Sequence, residues 1–158
     1  MYCDEWLPLN EIPKIKRKEF DCGNQTLNDY FYKYAKQDER KGLAKCHVAV
    51  EQGLVLGFFT LSAYLIQSEN AATPYRYEPG VLLGRLAVDK QFQHRGIGRL
   101  LIYKAMEWVC ESPIGVKFLL VRAKNDKVKN FYTGLGFSSF NLNDPLDLCF
   151  NLKNLKHD

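Results

Sequence analysis

The sequence predicts an α/β fold: a single mixed central sheet with helices on both faces. Two observations carry this. First, Val81–Val88 is an apolar, branched run of strand length. It is followed by a polar connection, Asp89–Arg95, and by an amphipathic helix that Gly96 and Gly98 open, with Ile97, Leu101, Ala105 and Trp108 on one face. Second, the remaining segments read strand–helix–strands–helix–strand–helix–strands. Only the central strand and its helical crossover need parallel pairing, so the rest of the sheet can be antiparallel.

Taken in order, Leu7–Ile15 is predicted as an edge strand, because Pro8 and Pro13 exclude it from a sheet centre. The basic run Lys14, Lys16, Arg17 and Lys18 reads as solvated surface. Asn24 caps a helix over Gln25–Arg40. Its stripe Leu27, Tyr30, Phe31, Tyr34, Ala35 and Asp38 is assigned mostly to the core, and Lys33, Lys36, Arg40 and Lys41 lie on or near the other side. Ala44–Glu51 and Leu54–Leu65 are strands joined by a Gln52-Gly53 hairpin turn, and Gly57 marks a bulge or a close approach. Ser68–Gly80, with Pro74, Arg76 and Pro79, is a polar loop that immediately precedes the central strand and so is placed to line a site beside it. Beyond the central helix, Ser112–Gly115 breaks the chain and Lys117–Arg122 is the next strand. Asn125 caps a short helix to about Leu135, with Gly136 left-handed behind it. Phe137–Phe140 and Leu146–Leu152 complete the sheet.

The chain has 158 residues, enough for one domain over residues 1–158 with a full hydrophobic core. A formal charge of +4 is compatible with a polyanionic partner. Five cysteines, Cys3, Cys22, Cys46, Cys110 and Cys149, without C-x-x-C spacing, read as reduced thiols of a cytoplasmic protein. Met1–Asn10 carries Asp4 and Glu5 and no apolar core, so it is not a secretory signal, and no run reaches membrane-spanning length. The histidines His47, His94 and His157 are scattered, so no metal site is expected.

The strand, the glycine-bearing turn and the helix start together predict an anion cradle. First-turn amides of a helix have no partner inside it, and the helix dipole favours negative charge there. The spacing fits neither a P-loop nor a dinucleotide fingerprint. Instead, Gln93-His94-Arg95-Gly96-Ile97-Gly98 resembles the (Q/R)-x-x-G-x-(G/A) motif of the GNAT acyltransferases, whose donor is acetyl-CoA. Asn125-Asp126-Lys127-Val128-Lys129-Asn130-Phe131-Tyr132, running on to Gly136-Phe137, resembles their second signature, with Val128 in place of the usual alanine. Phe20-Asp21-Cys22-Gly23, the Leu27–Phe31 segment, Gly57–Ser62, Arg85–Asp89 and Lys129–Tyr132 are similar to the GNAT toxins of bacterial toxin–antitoxin modules.

The resemblance implies the GNAT fold, with a splayed pair of parallel strands near Leu86–Asp89. It implies acetyl-CoA as cosubstrate and no metal. The acceptor would be the amino group of aminoacyl-tRNA, which attacks the thioester directly in a ternary complex, so that translation is blocked. It also implies a DNA-binding, ribbon-helix-helix antitoxin, and a homodimer. Carried over residue by residue, Tyr132 is the general acid and the Val88 amide the oxyanion donor. Leu86, Ala87, Val88, Gln93, His94, Arg95, Gly96, Ile97, Gly98, Arg99, Asn125, Asn130 and Tyr132 meet the cofactor. Candidate acceptor or tRNA contacts are Arg76, Arg85, Lys33, Lys36 and Arg40.

No general base stands out, although Glu51, Glu69 and Glu78 are available to act through water. An α-amine has a pKa of about 7.7–8.0 against about 10.4 for lysine, and esterifying the carboxyl lowers the former further, so much of an aminoacyl ester arrives neutral and has less need of a base. The residues leave two other readings open: an N-acetyltransferase for a small amine or a protein, and a module that binds acyl-CoA without turnover.

Overall fold

The computed structural model describes residues 5–67, 77–140 and 144–155. Its strands, β1 (Glu5–Pro8), β2 (Lys45–Glu51), β3 (Leu54–Gln67), β4 (Tyr77–Val88), β5 (Phe118–Arg122), β6 (Ser138–Ser139) and β7 (Asp147–Asn151), form one mixed sheet in the order β1-β2-β3-β4-β5-β7-β6. The chain divides into two compact units, Met1–Ser62 with Arg85–Ala105, and Ala63–Gly84 with Met106–Asp158.

The first unit begins with β1 (Glu5–Pro8), which pairs antiparallel with β2 (Lys45–Glu51), itself paired with β3 (Leu54–Gln67). The expected edge strand is therefore short. Proline has no N–H for a ladder, so β1 ends at Pro8. A 3₁₀ turn (Leu9–Glu11) and helix α1 (Lys14–Glu19) replace the rest of the predicted Leu7–Ile15 strand. The basic run is consequently helical, and its polarity is inverted. Ile15 is 65% exposed, whereas Arg17 is buried and donates from Nη1 to the Tyr32 carbonyl at 3.2 Å.

The predicted helix over residues 25–40 is present in three pieces: α2 (Gln25–Asp29), a π-helical turn (Tyr30–Tyr34) and α3 (Ala35–Arg40). Asn24 caps it, accepting from the Leu27 amide at 3.2 Å. The π turn is closed by the Ala35 amide on the Tyr30 carbonyl. Its extra residue shifts the register, so Ala35 takes the buried position and Tyr34, expected in the stripe, is 52% exposed. Phe58 of β3 is central to the core here. Phe31 stacks on it at 4.6 Å, and Phe20 meets it edge-on at 5.5 Å.

The hairpin turn takes positive φ at Gln52 (50°) and Gly53 (76°), as the dipeptide predicts. Both readings of Gly57 hold. The β2–β3 register shifts between Ala49 and Val50, and a Cβ on Gly57 would lie 2.6 Å from the Ala87 carbonyl oxygen and 3.1 Å from Leu101 Cδ1.

In the second unit, the part of β4 (Tyr77–Val88) up to Gly84 pairs parallel with β5 (Phe118–Arg122) from Gly80↔Phe118 to Leu83↔Val121. The strand starts earlier than the predicted Val81. Tyr77–Gly80 is part of β4 rather than of the expected loop, because β5 offers it a partner and the Lys117 amide meets the Pro79 carbonyl at 2.9 Å. The rest of that loop lies outside the described residues. The parallel ladder ends at Leu83, while β4 runs on to Val88.

Antiparallel pairs β5–β7 and β6–β7 complete the sheet, with β6 (Ser138–Ser139) and β7 (Asp147–Asn151) shorter than expected. Leu148 and Phe150 of β7 alternate inward as predicted. Helix α4 (Ile97–Cys110) buries Ile97, Leu101 and Ala105 fully. Trp108 is only half-buried, and Ile102, Met106 and Val109 widen the apolar face instead. Helix α5 (Asp126–Gly134) carries the second signature. Among the described residues no helix is long and apolar enough to cross a membrane, and no metal-ligating cluster occurs.

Candidate active site

The end of β4 is set by its hydrogen bonds to β3. The Asp89 amide donates to the Leu56 carbonyl at 2.9 Å, and the Arg85 amide to Thr60 Oγ1 at 3.0 Å. Successive amides of a strand point to opposite edges, so those of Leu86 and Val88 turn away from β3. This stretch lies past the last rung of the parallel ladder.

The turn that follows is tied down by side chains. Asp89 is buried, and its carboxylate accepts from the Gln91 amide at 2.9 Å and from the Asp21 amide at 3.1 Å. The Lys90 amide donates to the Asp21 carbonyl, and the Lys90 ammonium meets the Asp21 carboxylate at 2.9 Å. Hydrogen bonds from Lys90, Asn28 and the Gly23 amide hold the Asp21 carboxyl down at about 2. Gln93 donates from Nε2 to the Val88 and Cys22 carbonyls, each at 2.9 Å. Its amide nitrogen thus braces the turn against the 21–23 segment. Sequence reasoning found Gln93 through its motif and included Asp21 and Asp89 within two others without giving either a role, because the bonds that join them, from the Asp21 amide to Asp89 and from Lys90 to Asp21, span distant parts of the chain.

His94 (φ 65°) and Gly96 (φ 83°) take left-handed conformations before the helix. Alternation of this kind curves the main chain so that its amides converge on a concavity suited to anions. A Cβ at Gly96 would meet nothing within 4 Å. The Leu100 amide makes the first helical bond, to the Gly96 carbonyl at 3.1 Å, so the amides of Ile97, Gly98 and Arg99 precede any intrahelical acceptor. Ile97 anchors the turn in the core, Gly98 is half-buried, and His94, Arg95 and Arg99 are exposed beside it. These residues fit a diphosphate: amides and a helix start for its oxygens, and two guanidinium groups for its charge.

In the second unit, Asn125 Oδ1 caps α5 through the Val128 amide at 2.9 Å. Asn130 is exposed, and its carbonyl accepts from Thr133 Oγ1 at 3.1 Å. Tyr132 is 7% exposed, between the rings of Phe131 (5.3 Å) and Phe137 (5.4 Å). Burial pushes its phenol up to about 12, so the group keeps its proton through the physiological range.

The predicted acceptor contacts differ in their surroundings. The Arg85 guanidinium lies 3.7 Å from the Tyr30 ring centroid, and the Tyr30 hydroxyl donates to Asp38 at 2.9 Å. Lys33 pairs with Asp29 at 3.7 Å, and Lys36 and Arg40 are exposed. Arg76 lies outside the described residues, as does Glu69. Of the other candidate bases, Glu78 is paired with Lys117 at 3.0 Å, and Glu51 closes the β2–β3 hairpin opposite Leu54.

Residues 9–137 match the sequence model of the Acetyltransferase (GNAT) family. The chain belongs to the GNAT acetyltransferase family. A tRNA-acetylating toxin of Mycobacterium tuberculosis (strain ATCC 25618 / H37Rv) is 31% identical over 144 residues, covering 87% of this chain and 86% of that protein. The structure of AtaT complexed with acetyl-methionyl-tRNAfMet matches 94% of this GNAT chain and 95% of its own, with 27% identity and a TM-score of 0.84. A substituted AtaT toxin bound to acetyl-CoA and the C-terminus of the antitoxin AtaR matches 94% of this chain and 93% of its own, with 28% identity and a TM-score of 0.82.

Proposed function

We propose that this GNAT chain is an acetyl-CoA-dependent N-acetyltransferase of the cytoplasm whose acceptor is the amino group of aminoacyl-tRNA, and that residues 1–158 act as one domain. The likeness to AtaT in complex with acetyl-methionyl-tRNAfMet, over 94% of this chain, carries the acceptor assignment. Inhibition of translation follows from that acceptor, because an acetylated α-amine is no longer a nucleophile. A DNA-binding, ribbon-helix-helix antitoxin is the expected protein partner, in keeping with the antitoxin seen on AtaT.

Acetyl-CoA supplies an acetyl group activated as a thioester. The chain's own residues do the rest. Amides from His94 to Arg99, with the Arg95 and Arg99 side chains, hold the diphosphate. Leu86 and Val88 offer amides turned away from β3 to the pantetheine arm and to the acetyl oxygen, where negative charge develops as the amine attacks. Asn125 and Asn130 contact the arm. Tyr132 gives its proton to the departing sulfur, a role suited to a phenol that burial keeps protonated, and the proton shed by the attacking amine restores the phenol through solvent.

The test is Tyr132→Phe, assayed for acetyl transfer to methionyl-tRNA and, separately, for acetyl-CoA affinity. Loss of a general acid lowers kcat by about 10²–10⁴-fold while affinity is retained. Unchanged kcat removes Tyr132 from the chemistry. Efficient acetylation of free amines, with aminoacyl-tRNA left untouched, overturns the acceptor.

A further inference from the structure

The π turn does more than interrupt a helix. It adds a residue to the turn at Tyr30–Tyr34, places Ala35 where the apolar stripe continues, and leaves Tyr34 52% exposed. Regular α-helix would have set Tyr34 one turn after Tyr30, in the buried stripe. The turn is braced from within, since the buried Arg17 donates to the Tyr32 carbonyl inside it. An exposed tyrosine made by a braced helical irregularity calls for a reason beyond packing.

The charges around it are sorted. Asp29 is engaged by Gln25 and Lys33, Asp38 by the Tyr30 hydroxyl, and Glu39 by the Cys46 amide. Lys33, next to Tyr34 in the chain, is exposed although it pairs with Asp29 at 3.7 Å, Lys36 two residues on is exposed, and Asp38 and Glu39 are held by neutral donors. An accessible aromatic face among lysines is the arrangement that binds unpaired nucleotides, the ring stacking on a base and the ammonium groups meeting phosphates.

We infer that Tyr34, flanked by Lys33 and Lys36, is a stacking platform for an unpaired base at the 3′ end of the RNA acceptor. This rests on the aminoacyl-tRNA reading and adds to it a residue and a mode of contact. The turn that exposes Tyr34 also carries Tyr30, on which Arg85 is stacked, so base stacking at Tyr34 and the β4 arginine share one support.

The test compares two synthetic acceptor-stem hairpins, one with an unpaired 3′ tail and one blunt, binding to wild type, Tyr34→Ala and Tyr34→Phe. Stacking of one base contributes about 1–3 kcal/mol, so Tyr34→Ala is expected to weaken the tailed hairpin by about 5- to 150-fold. It should leave the blunt hairpin and CoA affinity unchanged, and Tyr34→Phe should bind the tailed hairpin within about twofold of wild type. The platform is overturned if Tyr34→Ala binds the tailed hairpin as wild type does. Equal losses on both hairpins, or a loss in Tyr34→Phe as large as in Tyr34→Ala, also overturn it. Failure of the wild type to bind either hairpin removes the RNA acceptor itself, a result distinct from the others.

Discussion

Asp89 joins the turn proposed to hold the CoA diphosphate to the segment before the Asn24-capped helix, and Asp89→Ala measures that joint. Its carboxylate accepts two main-chain hydrogen bonds, from Gln91 at 2.9 Å and Asp21 at 3.1 Å, and the residue is 9% exposed. A hydrogen bond to a charged group contributes about 1.5–3 kcal/mol, and because Gln91 is exposed and Asp21 half-buried, water replaces part of what their amides lose. Two such bonds on one side chain are not independent, so a total loss of stability of about 3 kcal/mol is expected. The turn is not released altogether, since Gln93 and Lys90 still tie it to Val88, Cys22 and Asp21. A loosened cradle binds CoA less well, and a cost of about 1.4 kcal/mol is a tenfold rise in Kd. Urea denaturation reads the first effect and calorimetric titration with CoA the second. Asp89→Asn keeps one acceptor oxygen and is expected to fall between alanine and wild type in both. A large loss of stability with CoA affinity intact would show that the turn is not part of the cradle. No loss of stability would show that the two hydrogen bonds contribute nothing.

Two further outcomes follow from the structure. Gly57→Ala places a Cβ 2.6 Å from the Ala87 carbonyl, a contact that only backbone movement relieves, so it should destabilise by about 1–3 kcal/mol; an unchanged urea midpoint would contradict the close approach. Burial, and then Lys45, lower the His47 imidazole to about 4, so the unfolded chain takes up a proton that the folded chain refuses. That contribution to stability is complete above about pH 6.5 and is lost as pH falls toward 4, so His47→Gln should flatten the acid limb of stability, and an identical slope in both proteins would sink the assignment.

Much of the site was legible because it is local. The strand, the turn and the helix start of residues 81–110 are contiguous, and the glycine spacing reports a backbone requirement directly. Asn24 and Asn125 were readable as caps for the same reason: their partners Leu27 and Val128 lie within one helical turn. Reading failed where burial overrode type. Arg17 looked like solvated surface and is buried, while Ile15 looked apolar and faces out. Tyr34 fell on the predicted stripe because the pattern was read with a regular period, and one added residue in the turn moved it off.

The sequence alone determined most of the strands and helices, though not α1 or the start of β4, and it determined which turn is the candidate diphosphate cradle and which tyrosine occupies the signature position, because each depends on neighbours along the chain. Only the tertiary structure decided that Asp21 and Asp89 brace that turn, that Leu86 and Val88 present their amides away from β3, and that Tyr132 is buried enough to hold its proton. Those depend on groups brought together from distant segments, and on desolvation, which a one-dimensional pattern does not encode.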